Sequence, residues 1–391
     1  AAFIISRSLP TMLTASEKAL VDAIVLPVDP SPFQLSDIRR AIPAHCFERS
    51  YLRSFGQVFF DIGLAFIVFR LSFIISSPLI PQELRYVLWP IYYYAQGCVL
   101  MGIWVMAHEC GHGSFSESRL VNDITGLILH SMLLVPYFSW KHTHSVHHQN
   151  TCSIDRDEAY VPHTPKDLNL DNPYRFTLPF RIIHSIVYLT LGFPLYLSYH
   201  LTGHKYPTRV NHFNPYSACF VPKNKFGVIL NDFALVVVCF GLYKLCTIYG
   251  TIWILNVYVG PYVVMNMWLV LITHLQHTDV HVPHYRGKEF TWLRGALATV
   301  DRDFGWILNA LFHHLQDTHV VHHLFSAMPF YHAEEASLYV TPFLGKFHLS
   351  PKVNSSVAAA FWESFRQCIY VPSEGGIVFY RSVHKNYEKD E

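Results

Sequence analysis

Charge is what this sequence has least of. Asp, Glu, Lys and Arg make up 15% of its 391 residues, against about 25% in an average soluble domain. The few charges also cancel, since 29 Lys and Arg stand against 28 Asp and Glu for a formal net charge of +1. A nucleic-acid surface or an electrostatically steered acidic substrate needs a field of one sign, so that balance argues against both. Paired cysteines are missing as well. Cys46, Cys98, Cys110, Cys152, Cys219, Cys239, Cys246 and Cys368 are scattered without a CxxC, which indicates neither a disulfide framework nor a zinc ribbon. Reduced thiols on a cytosol-facing protein fit best. No internal repeat or low-complexity tract stands out, and the opening "AAFIISRSLPTML" has too short an apolar run for a secretory signal.

What the chain does have is apolar length. Hydrophobic residues reach 51% and mean hydropathy is +0.22, the composition of a membrane protein. A span needs about 20 mostly apolar residues. Residues 55–80, flawed by Asp61 and Arg70, and 86–107 meet that need and are joined by a short turn, so they form a hairpin. Residues 227–250 and 251–273 form a second one. Two further apolar stretches, 120–138 and 180–201, are interrupted by polar residues or by Gly-x-Pro, and they read as interfacial or re-entrant helices. The expected fold is an all-α integral membrane protein with two transmembrane hairpins, interfacial helices and a cytosolic helical cap. Residues 1–54 are expected to be a polar leader and 55–391 a single membrane domain. The leader's Lys18, Arg39, Arg40, Arg49 and Arg53 make its side cytosolic under the positive-inside tendency.

Histidine is the second excess, with 25 residues gathered into "HECGH" (108–112), "HTHSVHH" (142–148) and "THVVHH" (318–323). His108 and His112 are four apart and so share a helix face. His144, His147 and His148 have spacings of three and four, as do His319, His322 and His323. Isolated histidines such as His130, His184 and His200 read as interfacial. Three clusters do not, because converging imidazoles repel when protonated and leave lone pairs unused when neutral unless a metal accepts them. One ion rarely takes more than about six ligands, so eight imidazoles imply two ions. "HECGH" also satisfies the HExxH pattern in which a Glu serves a zinc hydrolase, but that reading leaves two clusters without a purpose. A nitrogen-rich two-metal site with open positions suits iron, O2 and an unactivated C–H bond, and the substrate should be hydrophobic and enter from the bilayer. A non-enzymatic metal-binding or transport protein is the alternative of a different class. It predicts ligands midway along spans, whereas these clusters sit at span ends.

At these motifs the chain resembles the membrane fatty acid desaturases of the acyl-lipid oleate/linoleate group. The likeness runs from "DIRRAIPAHCFERS" (37–50) to "GGIVFYRS" (375–382) and is most specific in "HECGHGSFS", "VPYFSWKHTHSVHH", "WLRGALATVDRDFG" (292–305) and "DTHVVHHLFSAMPFYHAEEA" (317–336). The resemblance implies a di-iron centre on His108, His112, His144, His147, His148, His319, His322 and His323, completed by His277 of "LQHTD". It makes His313 a neighbour that supports the ligands, and it leaves His142 and His314 without a metal bond. Ligating imidazoles usually give their other N–H to a carboxylate or carbonyl. Glu109, Asp157 and Asp317 are the leading candidates, and Asp155, Glu158, Asp279, Asp301 and Asp303 also lie close in sequence. The haem-domain motif HPGG is absent, so electrons are expected from a separate cytochrome b5 and its NADH-dependent reductase, with Lys141, Arg156 and Lys166 as candidate docking cations. The implied setting is the endoplasmic reticulum membrane, with the histidine boxes on the cytosolic side.

The resemblance leaves the attacked bond open. "WLRGALATVDRDFG" and "HHLFSAMP" are similar to omega-6 enzymes acting on oleoyl chains, whereas "HGSFS", "HHQN" and "HFNPYSACFVP" (212–222) are similar to omega-3 enzymes. The favoured expectation is Δ12 (omega-6) desaturation of an oleoyl chain on a phospholipid or CoA, with reduction of O2 to water. An omega-3 (Δ15) or bifunctional enzyme is the alternative, as is a hydroxylase or acetylenase, which would differ near Gly113 and Ser114.

Overall fold

Helices dominate this computed structural model, which describes residues 26–168, 173–350 and 356–382. Residues 1–25 of the leader, Lys18 among them, lie outside the described residues. From Leu26 onward the leader is folded. Helix α1 (Leu35–Ala41) and a 3-10 turn (Ala44–Phe47) bury Ile38, Ile42 and Cys46 against Val320, Leu324, Ala336 and Val340, far along the chain.

Helix α2 (Tyr51–Ile75) begins at Ser50, whose hydroxyl accepts the Arg53 N–H, and it buries only five residues. Phe59, Phe60, Phe66, Ile67 and Ile74 are exposed, as expected of a helix surrounded by lipid. Helix α3 (Gln82–His112) returns the chain through 31 residues. At 1.5 Å per residue it is about 46 Å long, more than a hydrocarbon core of about 30 Å requires, and its last turns are buried in protein. "HECGH" occupies those turns.

The second hairpin pairs α7 (Lys225–Tyr249) with a longer return made of α8 (Thr251–Ile254), a π-helical turn (Leu255–Val259) and α9 (Gly260–His277). Helices α3 and α9 pack at close range because Gly97 of α3 has no side chain: a Cβ there would lie 2.5 Å from the Val264 Cβ. That contact brings the ends of both return helices, and so His108, His112 and His277, to one place.

Four helices are long and apolar enough to cross a membrane: Tyr51–Ile75, Leu178–Tyr199, Pro222–Tyr249 and Thr251–His277. This set differs from the spans expected from sequence in two members. Helix α3 is longer than any of them but less apolar, with Tyr92, Tyr93, Tyr94 and Gln96 in its middle and almost every residue from Gln96 to Cys110 buried in protein. Helix α6 (Leu178–Tyr199) runs unbroken through Gly192 and Pro194, where the sequence suggested an interruption. It is nevertheless tied to the cap at two places. Near its start, His184 packs on Phe365, with centroids 5.2 Å apart, and Tyr188 Oη lies 3.2 Å from His274 Nδ1. At its end, Tyr196 Oη donates to the Glu158 carbonyl and His200 Nε2 lies 2.8 Å from Glu158 Oε2. Helix α6 is thus long and apolar enough to cross a membrane while its middle and its end both contact the cap. Over residues 120–138 the chain bends sharply: α4 (Arg119–Met132) and α5 (Tyr137–Asn150) meet at 107°.

The cap is completed by α10 (Trp292–Leu297), α11 (Trp306–Leu311), α12 (His319–Leu324), α13 (Ala333–Leu344) and α14 (Val357–Gln367). Among the described residues the one sheet is an antiparallel pair of two-residue strands, with His284 opposite Val378 and Tyr285 opposite Ile377.

Candidate metal centre

Helices α3, α5, α9 and α12 each bring histidines to one buried point beneath the cap. Five donors, on His108, His112, His144, His148 and His322, lie within 4.8 Å of one another, and so do those of His147, His277 and His323. His319 joins the second group through His277, Nε2 to Nε2 at 3.1 Å. All nine residues expected as ligands are therefore together. The boxes do not map one to an ion, however. His147 and His148 are successive and so point about 100° apart on α5, and the second and third boxes each divide between the two groups. The stacked rings of His148 and His323, 4.1 Å apart, sit where the groups meet.

The spacings fit metal ions. Nε2 atoms approach in pairs at 3.2 Å (His108 and His112), 3.1 Å (His144 and His148) and 3.1 Å (His277 and His319). An ion about 2.1 Å from each nitrogen would subtend roughly 95° in such a pair, the angle of adjacent ligands around one centre. His322 Nε2 and His323 Nε2 are buried without a hydrogen-bond partner, an arrangement that is costly unless a cation takes the lone pair. Burial and neighbouring imidazoles hold His319 and His323 well below the usual histidine range, and burial foremost, with His108 beside it, pushes His322 down to about 3. Neutral rings with free lone pairs are what metal binding requires.

Two of the four expected supporting residues reach a ligand. Glu109 Oε1 lies 3.0 Å from His108 Nδ1, and Ser114 Oγ donates to Glu109 Oε2 at 2.6 Å. Asp157 Oδ1 lies 2.7 Å from His147 Nδ1, and the carboxylate also accepts the N–H groups of Cys152 and Ala159. Each contact occupies Nδ1 and leaves Nε2 for the ion. The other two are corrected by the structure. His313, in a left-handed turn (φ 53), is aimed at Asp61 of α2, 2.9 Å away, and Asp317 bonds the non-ligand His314 at 2.9 Å. One contributor was not foreseen. Thr151 Oγ1 donates to the His147 carbonyl and lies 3.2 Å from His323 Nδ1, so it orients a ring of the third box from the end of the second. Asp301, expected as a possible partner for a ligating imidazole, faces the imidazole of His348, which is not a ligand, at 2.7 Å and accepts the Val320 N–H at 2.8 Å.

A cavity opens on the centre. His108, His144, His147, His277 and His319 line it together with apolar side chains such as Trp104, Trp140, Phe193, Leu269 and Val270, and Tyr160, Tyr188, Tyr196, Thr202, Thr273 and Gln276 add uncharged polar groups. Trp140 stacks on His144 with centroids 4.5 Å apart, and Tyr160 on His277 at 5.4 Å. A long apolar group can therefore lie against the imidazoles in a space that offers rings and aliphatic side chains and no Asp, Glu, Lys or Arg. Of the candidate docking cations, Lys141 is engaged, 2.6 Å from Asp123, and Arg156 lies over the Phe290 ring.

Comparison with known proteins agrees with this geometry. The family model described as fatty acid desaturase matches residues 85–352, from the start of α3 to beyond the third box. A Delta(12)-fatty-acid desaturase of Vernicia fordii is 46% identical over 351 residues, covering 90% of this chain and 91% of the relative. An endoplasmic reticulum omega-6 fatty acid desaturase of Glycine max is 44% identical, covering 90% and 91%. An oleoyl-12-hydroxylase of Ricinus communis is 41% identical with the same coverage.

Proposed function

The chain belongs to the fatty acid desaturase family, and from that premise we propose that it desaturates an oleoyl chain at Δ12 while the chain is carried on a membrane lipid. The observation that carries this reading is a cluster of nine imidazoles, five of which (His108, His144, His147, His277 and His319) face a cavity lined mainly by aromatic and aliphatic side chains and by no Asp, Glu, Lys or Arg. Five of them (His108, His112, His144, His148 and His322) would hold one iron and four (His147, His277, His319 and His323) the other. Two such irons, when bound, supply the O2 activation needed to remove hydrogen from unactivated methylene carbons.

The protein's own part is positioning and exclusion. Trp104 and Trp140 cover the imidazoles of His108 and His144 on the cavity side, which keeps water from ligands and substrate. Glu109 and Asp157 hold Nδ1 protons and fix the tautomers of His108 and His147. The aromatic and aliphatic part of the wall aligns a methylene chain along the imidazole face, and the lining holds no Asp, Glu, Lys or Arg to bind a charged group. Electrons are supplied by cytochrome b5 and its NADH-dependent reductase at the cytosolic face of the endoplasmic reticulum, the side that the leader's Arg39, Arg40, Arg49 and Arg53 favour under the positive-inside tendency. The membrane named for the Glycine max relative supports that location.

Expression in a yeast that makes oleate but no linoleate tests the reaction. Linoleate should appear in cultures given no fatty acid, and His147→Ala or His322→Ala should abolish it while the protein still accumulates. Linolenate formed only on feeding linoleate would replace Δ12 by omega-3 action, both products unfed would make the enzyme bifunctional, and a hydroxylated product would align it with the Ricinus communis relative. Changed host metal content with unchanged lipids would favour a metal-binding or transport protein.

A further inference from the structure

A second donor cluster lies outside the histidine boxes, where the leader meets the start of α13. We propose that His45, Cys46, His332 and Glu335 bind one zinc ion that clamps the leader to the segment following the third box. Their four donor atoms lie within 4.8 Å of one another.

The local backbone sets this up twice over. The 3-10 turn Ala44–Phe47 presents His45 and Cys46 together. His332 and Glu335, three apart at the start of α13, share one face and are themselves 3.6 Å apart, Nδ1 to Oε2. Two ligands from each of two short turns, 290 residues apart, are an arrangement that folding alone does not need.

Distances and donor types select zinc. With Zn–S about 2.3 Å and Zn–N or Zn–O about 2.0–2.1 Å, a tetrahedral ion places sulfur roughly 3.6 Å from nitrogen and nitrogen roughly 3.3 Å from oxygen. Cys46 Sγ lies 3.7 Å from His45 Nε2, close to the first value, and His332 Nδ1 lies 3.6 Å from Glu335 Oε2. His45 Nε2 and Glu335 Oε1, now 2.9 Å apart, need to separate by only about 0.4 Å. A set of one thiolate, two imidazoles and one carboxylate is borderline in softness, which suits zinc better than magnesium or calcium. Access is available, because the His45 side chain is 52% exposed and that of Glu335 40%.

The clamp would lie on an existing seam. Arg49 Nη2 donates to the Ala327 carbonyl, and the Ser50 N–H donates to Tyr331 Oη. Phe47 packs edge-on against Phe325, two residues after His323. An ion here would therefore hold the leader over α12 and stiffen the end of the third box.

The test uses the full chain purified in detergent and needs no turnover measurement. Metal analysis should find one zinc per chain beyond the two metals of the imidazole centre, and Cys46→Ser and His332→Asn should lose that zinc alone. Reconstitution with Co(II) should give a thiolate-to-cobalt charge-transfer band in the near ultraviolet that Cys46→Ser abolishes. The imidazole centre contains no sulfur, so the band reports this cluster only. If Cys46→Ser fails to accumulate, His45→Asn at the exposed ligand should weaken Co(II) binding at this band at least tenfold. A chain that shows no such band after loading with Co(II), or zinc content equal in the native chain and these variants, overturns the proposal.

Discussion

Asp157 shows how a single residue can carry both fold and chemistry. It is fully buried, and its oxygens face His147 Nδ1 and accept N–H groups from the turn that follows the second box. Asp157→Asn keeps the shape but puts an amide NH2 where a second acceptor is required, so either the turn or the imidazole loses its partner. Second-layer substitutions of this type cost about 10–100-fold in metal affinity or activity. The expected result is a folded chain with reduced iron at the group containing His147, read by iron content per chain; full iron occupancy with full activity would show that Asp157 is only structural. The same burial fixes the response to pH. His319, His322 and His323 have folded-state pKa values below the ordinary value of about 6.5, with His322 near 3. The unfolded chain thus binds more protons between those limits, and stability falls as pH drops from about 6.5 toward 3. Within the fold these rings stay neutral, so iron should be retained below pH 6.5 and leave together with unfolding. Parallel measurement of bound iron and tryptophan fluorescence checks this, and iron loss near pH 6.5 from a still-folded chain would contradict it.

Among the elements, α12 is the least able to form alone. Six residues are far below the length at which an isolated helix persists, yet it carries His319, His322 and His323. Asp301 anchors it by accepting the Val320 N–H in its first turn, where a carboxylate also complements the helix dipole. Asp301→Ala should remove about 0.5–2 kcal/mol and loosen three ligands at once, seen as a lower melting temperature in detergent and a larger loss of iron than the change in stability alone produces. Unchanged iron would mean that packing of Val320 and Leu324 suffices to hold the helix. The boxes themselves were legible because spacings of three and four have one meaning on a helix, and the family resemblance supplied His277. What sequence could not convey was direction. His313 adjoins the third box in sequence, but its left-handed turn sends it to Asp61, 252 positions earlier, and Asp317 finds a closer partner three residues back in His314. Thr151 did leave a signal, four residues after His147 and so at the helical spacing that reaches its carbonyl. Helix α6 runs unbroken through Gly192 and Pro194, where sequence suggested an interruption, and its ties to Phe365 and Glu158 are tertiary contacts that no local pattern announces.

At the scale of the whole molecule, the position of the new double bond depends on how the cavity is divided around the metal centre, a length that no short motif encodes. Val270 lies seven residues before His277 on α9, about 10 Å deeper along the helix axis, and Gly192 of α6 faces it. A Cβ at residue 192 would meet the Val270 methyl groups at 3.4 and 3.6 Å, which is ordinary contact, so Gly192→Ala should be tolerated. Gly192→Leu instead extends a side chain into space the acyl chain would occupy, without touching a metal ligand. If the deep end of the cavity holds the terminal carbons, the variant should disfavour an 18-carbon chain relative to a 16-carbon one. Two methylenes at about 0.8 kcal/mol each amount to roughly a tenfold change in that preference. Fatty acid methyl esters from the yeast host give the ratio of 16:2 to 18:2 directly, and iron content confirms that the centre is intact. An unchanged ratio with intact iron would place the terminal carbons elsewhere and make the wall between α6 and α9 a packing surface instead of a measure of chain length.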